Sequence, residues 1–144
     1  MNTREEIKEN IRHILGELDG RAELLLATKT VPAELINYAV TCGTRLIGEN
    51  RVQELLEKYD SLDKENMEIH FIGHLQTNKV KYIIDKVSMI HSVDSLALAS
   101  EIEKQAAKHD LVMDVLVEIN SGCEENKSGL HPDAVAEFCK TLGD

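Results

Sequence analysis

Lys29 comes directly after Leu24-Leu25-Leu26-Ala27-Thr28, a continuous run of strand length. A primary amine at the carboxyl end of an apolar strand is expected to be partly shielded from water. Its lone pair is then free to attack an aldehyde and form an imine. Strand alternation puts Leu25, Ala27 and Lys29 on one face and Leu24, Leu26 and Thr28 on the other. Strand ends also carry ordinary solvent-facing lysines, so position alone leaves both readings open.

Three further segments carry chemically capable side chains. Gly48-Glu49-Asn50 follows a second short apolar run. Its glycine permits close backbone approach, and Asn50 offers both a donor and an acceptor. The same residues also read as a plain strand-to-helix turn, with Glu49 favouring the helix N-terminus. His70 and His74 lie four apart around Phe71-Ile72-Gly73. On a strand that spacing separates them by roughly 13 Å, too far for one metal ion. His74 is therefore read as a rim residue that hydrogen-bonds.

The third segment, Ser121-Gly122-Cys123-Glu124-Glu125-Asn126-Lys127-Ser128-Gly129, is a polar loop that lacks the GxxxxGK[ST] order of a phosphate loop. Cys123 is a conceivable nucleophile, but its acidic sequence neighbours argue against that role. Cys42, Cys123 and Cys139 form no CxxC pair, so neither a disulfide framework nor a zinc site is expected.

The elements that must position these residues alternate along the chain. Thr3 and Glu6 make a capping-box pattern ahead of a stripe of Ile7, Ile11, Ile14, Leu15 and Leu18, and Gly20 suits the exit. The strand at 24–28 follows. Pro32 then opens a helix with Leu35, Ile36, Ala39 and Val40 on one face, closed by Gly43. The alternation continues with a strand at 45–48, a helix through Val52, Leu55, Leu56 and Tyr59, and a strand at 69–72. Next come a helix through Val80, Ile83, Ile84 and Val87 and a strand at 89–92. A helix capped by Asp94 runs through Ala99, Ile102 and Ala106, a strand covers 113–119, and a last helix opens at Pro132.

Five strands, each followed by a helix, predict a single α/β domain over residues 1–144 with a parallel sheet. A five-stranded doubly wound sheet is complete at this length. A (β/α)8 barrel has eight such units, so the alternative is a partial TIM-type barrel.

The net charge is −10, from 16 basic and 26 acidic residues. The densest basic cluster is Lys79, Lys81 and Lys86. Both nucleic acid and anionic membranes are thereby disfavoured as partners. No apolar run approaches the ~20 residues that span a bilayer, and the polar start shows no secretory signal. The expected compartment is the cytoplasm.

Taken together, several stretches resemble the pyridoxal-phosphate homeostasis proteins of the YggS/PROSC type, relatives of the alanine racemase N-terminal domain. They are Ala27-Thr28-Lys29-Thr30-Val31-Pro32, Ile47-Gly48-Glu49-Asn50-Arg51-Val52-Gln53-Glu54, His70-Phe71-Ile72-Gly73-His74-Leu75-Gln76-Thr77-Asn78-Lys79, Ile90-His91-Ser92-Val93-Asp94-Ser95, and Val117-Glu118-Ile119-Asn120 with Asn126-Lys127-Ser128-Gly129. The third stretch is long and specific.

The resemblance implies the partial barrel rather than the open doubly wound sheet. It implies pyridoxal 5'-phosphate as cofactor, Lys29 as its Schiff-base lysine and Asn50 near its ring. His74, on the rim, is taken as a third cofactor-binding residue. The implied role is holding or delivering the cofactor without established catalytic turnover. An amino-acid racemase or lyase using the same imine is the enzymatic alternative. A non-binding remnant, or one half of a two-chain barrel, is a third reading.

Two features depart from the family pattern. Thr28 stands where Ser is usual, and the chain stops after the fifth βα unit, before the three strands whose loops grip the phosphate. Unpaired first and fifth strands are therefore expected, with an exposed apolar interior and self-association through those edges.

Overall fold

A computed structural model describes residues 2–143. Helix α1 (Arg4–Leu18) starts where the capping box predicts. The Glu6 N–H donates to Thr3 Oγ1 at 3.3 Å, and the Thr3 N–H donates to Glu6 Oε2 at 2.7 Å. Its exit is one residue earlier than expected. Asp19 takes the left-handed cap at φ 48°, and Gly20 follows at φ 71°.

Strand β1 (Leu25–Ala27) leads to α2 (Ala33–Val40), for which Pro32 is the N-cap rather than the first helical residue. Strand β2 (Leu46–Glu49), helix α3 (Val52–Tyr59) and strand β3 (Glu68–Phe71) follow. β1 and β2 pair in parallel, Leu25 with Leu46, Leu26 with Ile47 and Ala27 with Gly48.

After β3 the expected helix through Val87 is largely absent. The chain forms a 3-10 turn at Thr77–Lys79 and a single α-helical turn, α4 (Val80–Ile83), then tightens. The Lys86 and Val87 N–H groups both donate to the Ile83 carbonyl. The apolar pattern was nevertheless informative, because Val80, Ile83, Ile84 and Val87 are all buried. Strand β4 (Met89–Val93) precedes α5 (Leu96–Lys108). The N-cap of α5 is Ser95, whose hydroxyl accepts from the Leu98 N–H at 3.1 Å; Asp94 does not fill that position. Strand β5 (Asp114–Val117), a 3-10 turn at Pro132–Ala134 and α6 (Val135–Gly143) complete the order.

The five strands form one parallel sheet in the order β1-β2-β3-β4-β5. A doubly wound sheet reverses its strand order at a switch point, so a strictly sequential order rules that alternative out. The order is that of a (β/α) barrel whose sheet is not closed, and β1 and β5 are its two edges.

By contacts the chain divides into two compact units, Met1–His70 and Phe71–Asp144. The first is built around Ile11, Ile36, Ile47, Leu55 and Ile69, and the second around Phe71, Val80, Ile83, Ile84, Ile90 and Val93. The β5 region stays uncovered, with Val112, Val115, Leu116 and Ile119 all exposed, and an apolar groove of about 630 Å³ runs beside it between α5 and α6. Among the described residues no helix is long and apolar enough to cross a membrane.

Candidate cofactor site

Lys29 follows β1 at the second position of a tight turn. The turn closes with the Val31 N–H donating to the Thr28 carbonyl at 3.1 Å. Its third residue, Thr30, has φ 63°. A β-branched residue adopts that left-handed conformation only when its surroundings impose it. Here the Thr30 N–H donates to Glu54 Oε1 on α3.

Beneath the turn lies a buried polar network. Glu49, at the end of β2, is fully buried. Its Oε1 accepts from the Thr28 hydroxyl at 2.9 Å and from the Lys58 ammonium at 2.9 Å. Lys58 also donates to the Thr28 carbonyl at 2.8 Å and to Glu54 Oε1 at 2.6 Å. One cation from α3 thus ties together the strand end before Lys29, the end of β2 and the carboxylate that holds Thr30. The hydrogen bond from Lys58 holds the Glu54 carboxyl below its ordinary range against the opposing effect of burial, and the Thr30 N–H adds to the lowering.

The pairing register decides which side chains share a face. Thr28 and Glu49 meet on the helix-covered face, as their hydrogen bond shows. The paired register ends at Ala27 and Gly48, so Lys29, in the turn, and Asn50 follow the ends of two adjacent strands. Leu25 is half-buried, while Ala27 and Lys29 are exposed. The expected shielding of the amine is therefore absent.

Asn50 is half-buried, and its Oδ1 is buried without a hydrogen-bond partner. An unpartnered buried acceptor carries a desolvation cost that a ligand donor can relieve. An exposed lysine and such an acceptor, following the ends of two paired strands, fit a ligand that pairs a carbonyl carbon with hydrogen-bonding ring substituents, and pyridoxal phosphate is of that type.

In the second unit, His74 is exposed on the loop after β3. The long loop after β5 is tied back to its own unit. Asp94 Oδ2 accepts from the Gly129 N–H at 3.3 Å, and the Ser128 hydroxyl donates to Glu118 Oε1 at 3.1 Å. Gly129, at φ 108°, lies so close to the preceding strand end that a Cβ there would meet the Asn120 nitrogen at 2.7 Å. Ser92 Oγ and Glu118 Oε2 are buried without partners in this unit.

Sequence reasoning missed Lys58 and assigned Glu49 to a helix N-terminus. The available signal was the Glu54–Lys58 pair, four residues apart on α3.

Comparisons with known proteins show the family. The alanine racemase N-terminal domain family matches residues 3–144. A pyridoxal phosphate homeostasis protein of Aquifex aeolicus is 52% identical over 123 residues, which are 85% of this chain and 54% of that protein. A Bifidobacterium adolescentis protein of unknown function superposes with a TM-score of 0.91 at 32% identity, covering 97% of this chain and 65% of its own. PipY of Synechococcus elongatus, solved with pyridoxal phosphate bound, superposes with a TM-score of 0.81 at 31% identity, covering 94% and 63%. The chain thus spans little more than half the length of the curated relative and under two thirds of the solved ones. With its sequential sheet order and a match over nearly its whole length, the chain belongs to the alanine racemase N-terminal domain family.

Proposed function

We propose that this chain binds pyridoxal 5'-phosphate through Lys29, and that residues 1–144 act as one cytoplasmic domain that holds or carries the cofactor without catalytic turnover. The observation that carries the proposal is that the ends of the paired strands β1 and β2 are followed by an exposed lysine, Lys29, and by Asn50 with its buried, unpartnered amide oxygen. The PipY structure with the cofactor bound, and the names of the curated relatives, support the choice of ligand. When bound, the cofactor supplies an aldehyde that condenses with a primary amine and a ring that withdraws electrons. Lys29 is the amine, and Asn50 orients the ring through its free acceptor. Thr28, Glu49 and Lys58 fix the turn that presents Lys29. His74, which the resemblance adds to the cofactor-binding residues, lies on its own loop in the second unit.

The test is reductive trapping. The chain is mixed with pyridoxal phosphate, reduced with borohydride and mapped by mass spectrometry, with Lys29→Ala as control. Label concentrated on Lys29 at low cofactor concentration supports the proposal. Weak label scattered over many lysines, unchanged in Lys29→Ala, would overturn it.

A further inference from the structure

Outside the Lys29 region, the loop after β5 brings together a thiol and an imidazole eight residues apart. Cys123 is exposed, at φ 53°, and its Sγ lies 3.5 Å from His131 Nε2. The pair is held by the backbone. The Asn120 N–H donates to the Leu130 carbonyl at 2.8 Å, and the Leu130 N–H donates to the Glu118 carbonyl at 2.8 Å. These bonds fix the chain on both sides of the loop. The Cys123 N–H donates to the Asn120 carbonyl at 3.1 Å, and the Asn120 amide donates to the Glu124 carbonyl at 2.7 Å. The sulfur is therefore presented at a constrained tip and not on a free tether.

The histidine's own contacts set its role. The Asp133 N–H donates to His131 Nδ1 at 3.2 Å. A ring nitrogen that accepts an N–H carries no proton, so in the neutral ring the proton resides on Nε2, the atom facing the sulfur. His131 thus offers Cys123 an N–H donor. When the ring is protonated, Nδ1 faces Asp133 Oδ2 at 3.5 Å. An N–H aimed at an exposed sulfur supports the anionic sulfur that attacks electrophiles.

We propose that Cys123 is a thiol-modification site, assisted by His131, that takes neutral or cationic low-molecular-weight disulfides. The reaction is exchange. The Cys123 thiol gives its proton to water, the sulfur attacks one sulfur of the disulfide, and the disulfide bond breaks. The leaving thiolate then takes up a proton, so no net oxidation is needed beyond the disulfide supplied. The preference by charge follows from the sequence around the tip. Glu124, Glu125 and Asp133 outnumber Lys127, the only cation of the loop, and repel anionic reagents at low salt.

Cystamine, a diamine disulfide, and an anionic dicarboxylate disulfide are the probes, applied to the whole chain with modification of each cysteine followed over time by peptide mass mapping. Cys139, also exposed, and Cys42, half-buried, serve as internal references. Cystamine is expected to modify Cys123 about threefold faster than Cys139, because a hydrogen bond that raises the thiolate fraction about tenfold also lowers the nucleophilicity of the sulfur. The dicarboxylate disulfide should show a smaller advantage, which grows as salt is added. His131→Asn keeps a side chain able to cap the following 3-10 turn but too short to reach the sulfur. It should bring Cys123 to the Cys139 rate and leave Cys139 unchanged. Equal rates at Cys123 and Cys139 in the parent chain, or a Cys123 rate unaffected by His131→Asn, would overturn the proposal.

Discussion

The Lys58 ammonium donates to the Thr28 carbonyl oxygen at 2.8 Å, one residue before the amine assigned to the cofactor. It also neutralises Glu49, which is fully buried. Removing one partner of such a buried pair leaves an uncompensated charge and costs about 3–5 kcal/mol. Lys58→Met is therefore expected to destabilise the chain by about that amount, and Lys58→Met with Glu49→Leu by clearly less. Urea unfolding of the single and double variants checks this. Equal losses would mean that the carboxylate does not depend on Lys58. At Thr28, the Ser substitution keeps the hydroxyl that bonds Glu49 and is expected to be near neutral. Thr28→Val removes one of the two donors to Glu49 Oε1 and costs about 1–3 kcal/mol.

Glu54 predicts an acid dependence. Its folded-state carboxyl is held below the ordinary value of 4.5 by Lys58, with help from the Thr30 N–H. The folded state therefore binds fewer protons than the unfolded state across that interval. The stabilisation is complete above pH 4.5 and is lost as pH falls from there through the lowered folded value. Glu54→Gln should flatten this part of the stability–pH curve and leave the curve above pH 6 parallel to that of the parent chain. A Gln variant with unchanged slope below pH 4.5 would remove Glu54 as the source.

The β5 edge predicts self-association. Val115 and Leu116 are exposed on β5, an edge strand whose unpaired backbone groups can template another strand. Leu116→Lys places a charge on that edge. Sedimentation velocity should show a concentration-dependent larger species for the parent chain and its loss in Leu116→Lys. A parent chain that stays monomeric up to high micromolar concentration would show that the edge is guarded in some other way.

Most of the architecture was legible because the strands of a parallel sheet read as short, largely apolar runs, and each of the five predicted runs overlaps a strand. The position of Lys29 after β1 followed from the same pattern. Details that depend on one partner among several were not legible. Asp94 and Ser95 are both good N-caps, and Ser95 holds the position while Asp94 accepts from Gly129, thirty-five residues away. A glutamate after a strand looks the same in sequence whether it faces a helix dipole or a buried lysine, so Glu49 could not be placed before α3 packed. Thr30 gave no sign of its left-handed backbone, since its propensity points the other way. Cys123 was judged on its acidic sequence neighbours, while its nearest ring lies eight residues along the chain.

Sequential strand order also bears on how the chain reaches its fold. Leu25 pairs with Leu46 and Met89 with Asp114, separations of 21 and 25 residues (46 − 25 and 114 − 89). Pairings of this kind close short loops, and loop closure is the entropic toll that slows sheets with distant partners. The sheet can therefore be laid down in the direction of synthesis, each new strand docking on the one made just before it. Pulled from the carboxyl end, the same chain should come apart in reverse, with β5 peeling away first.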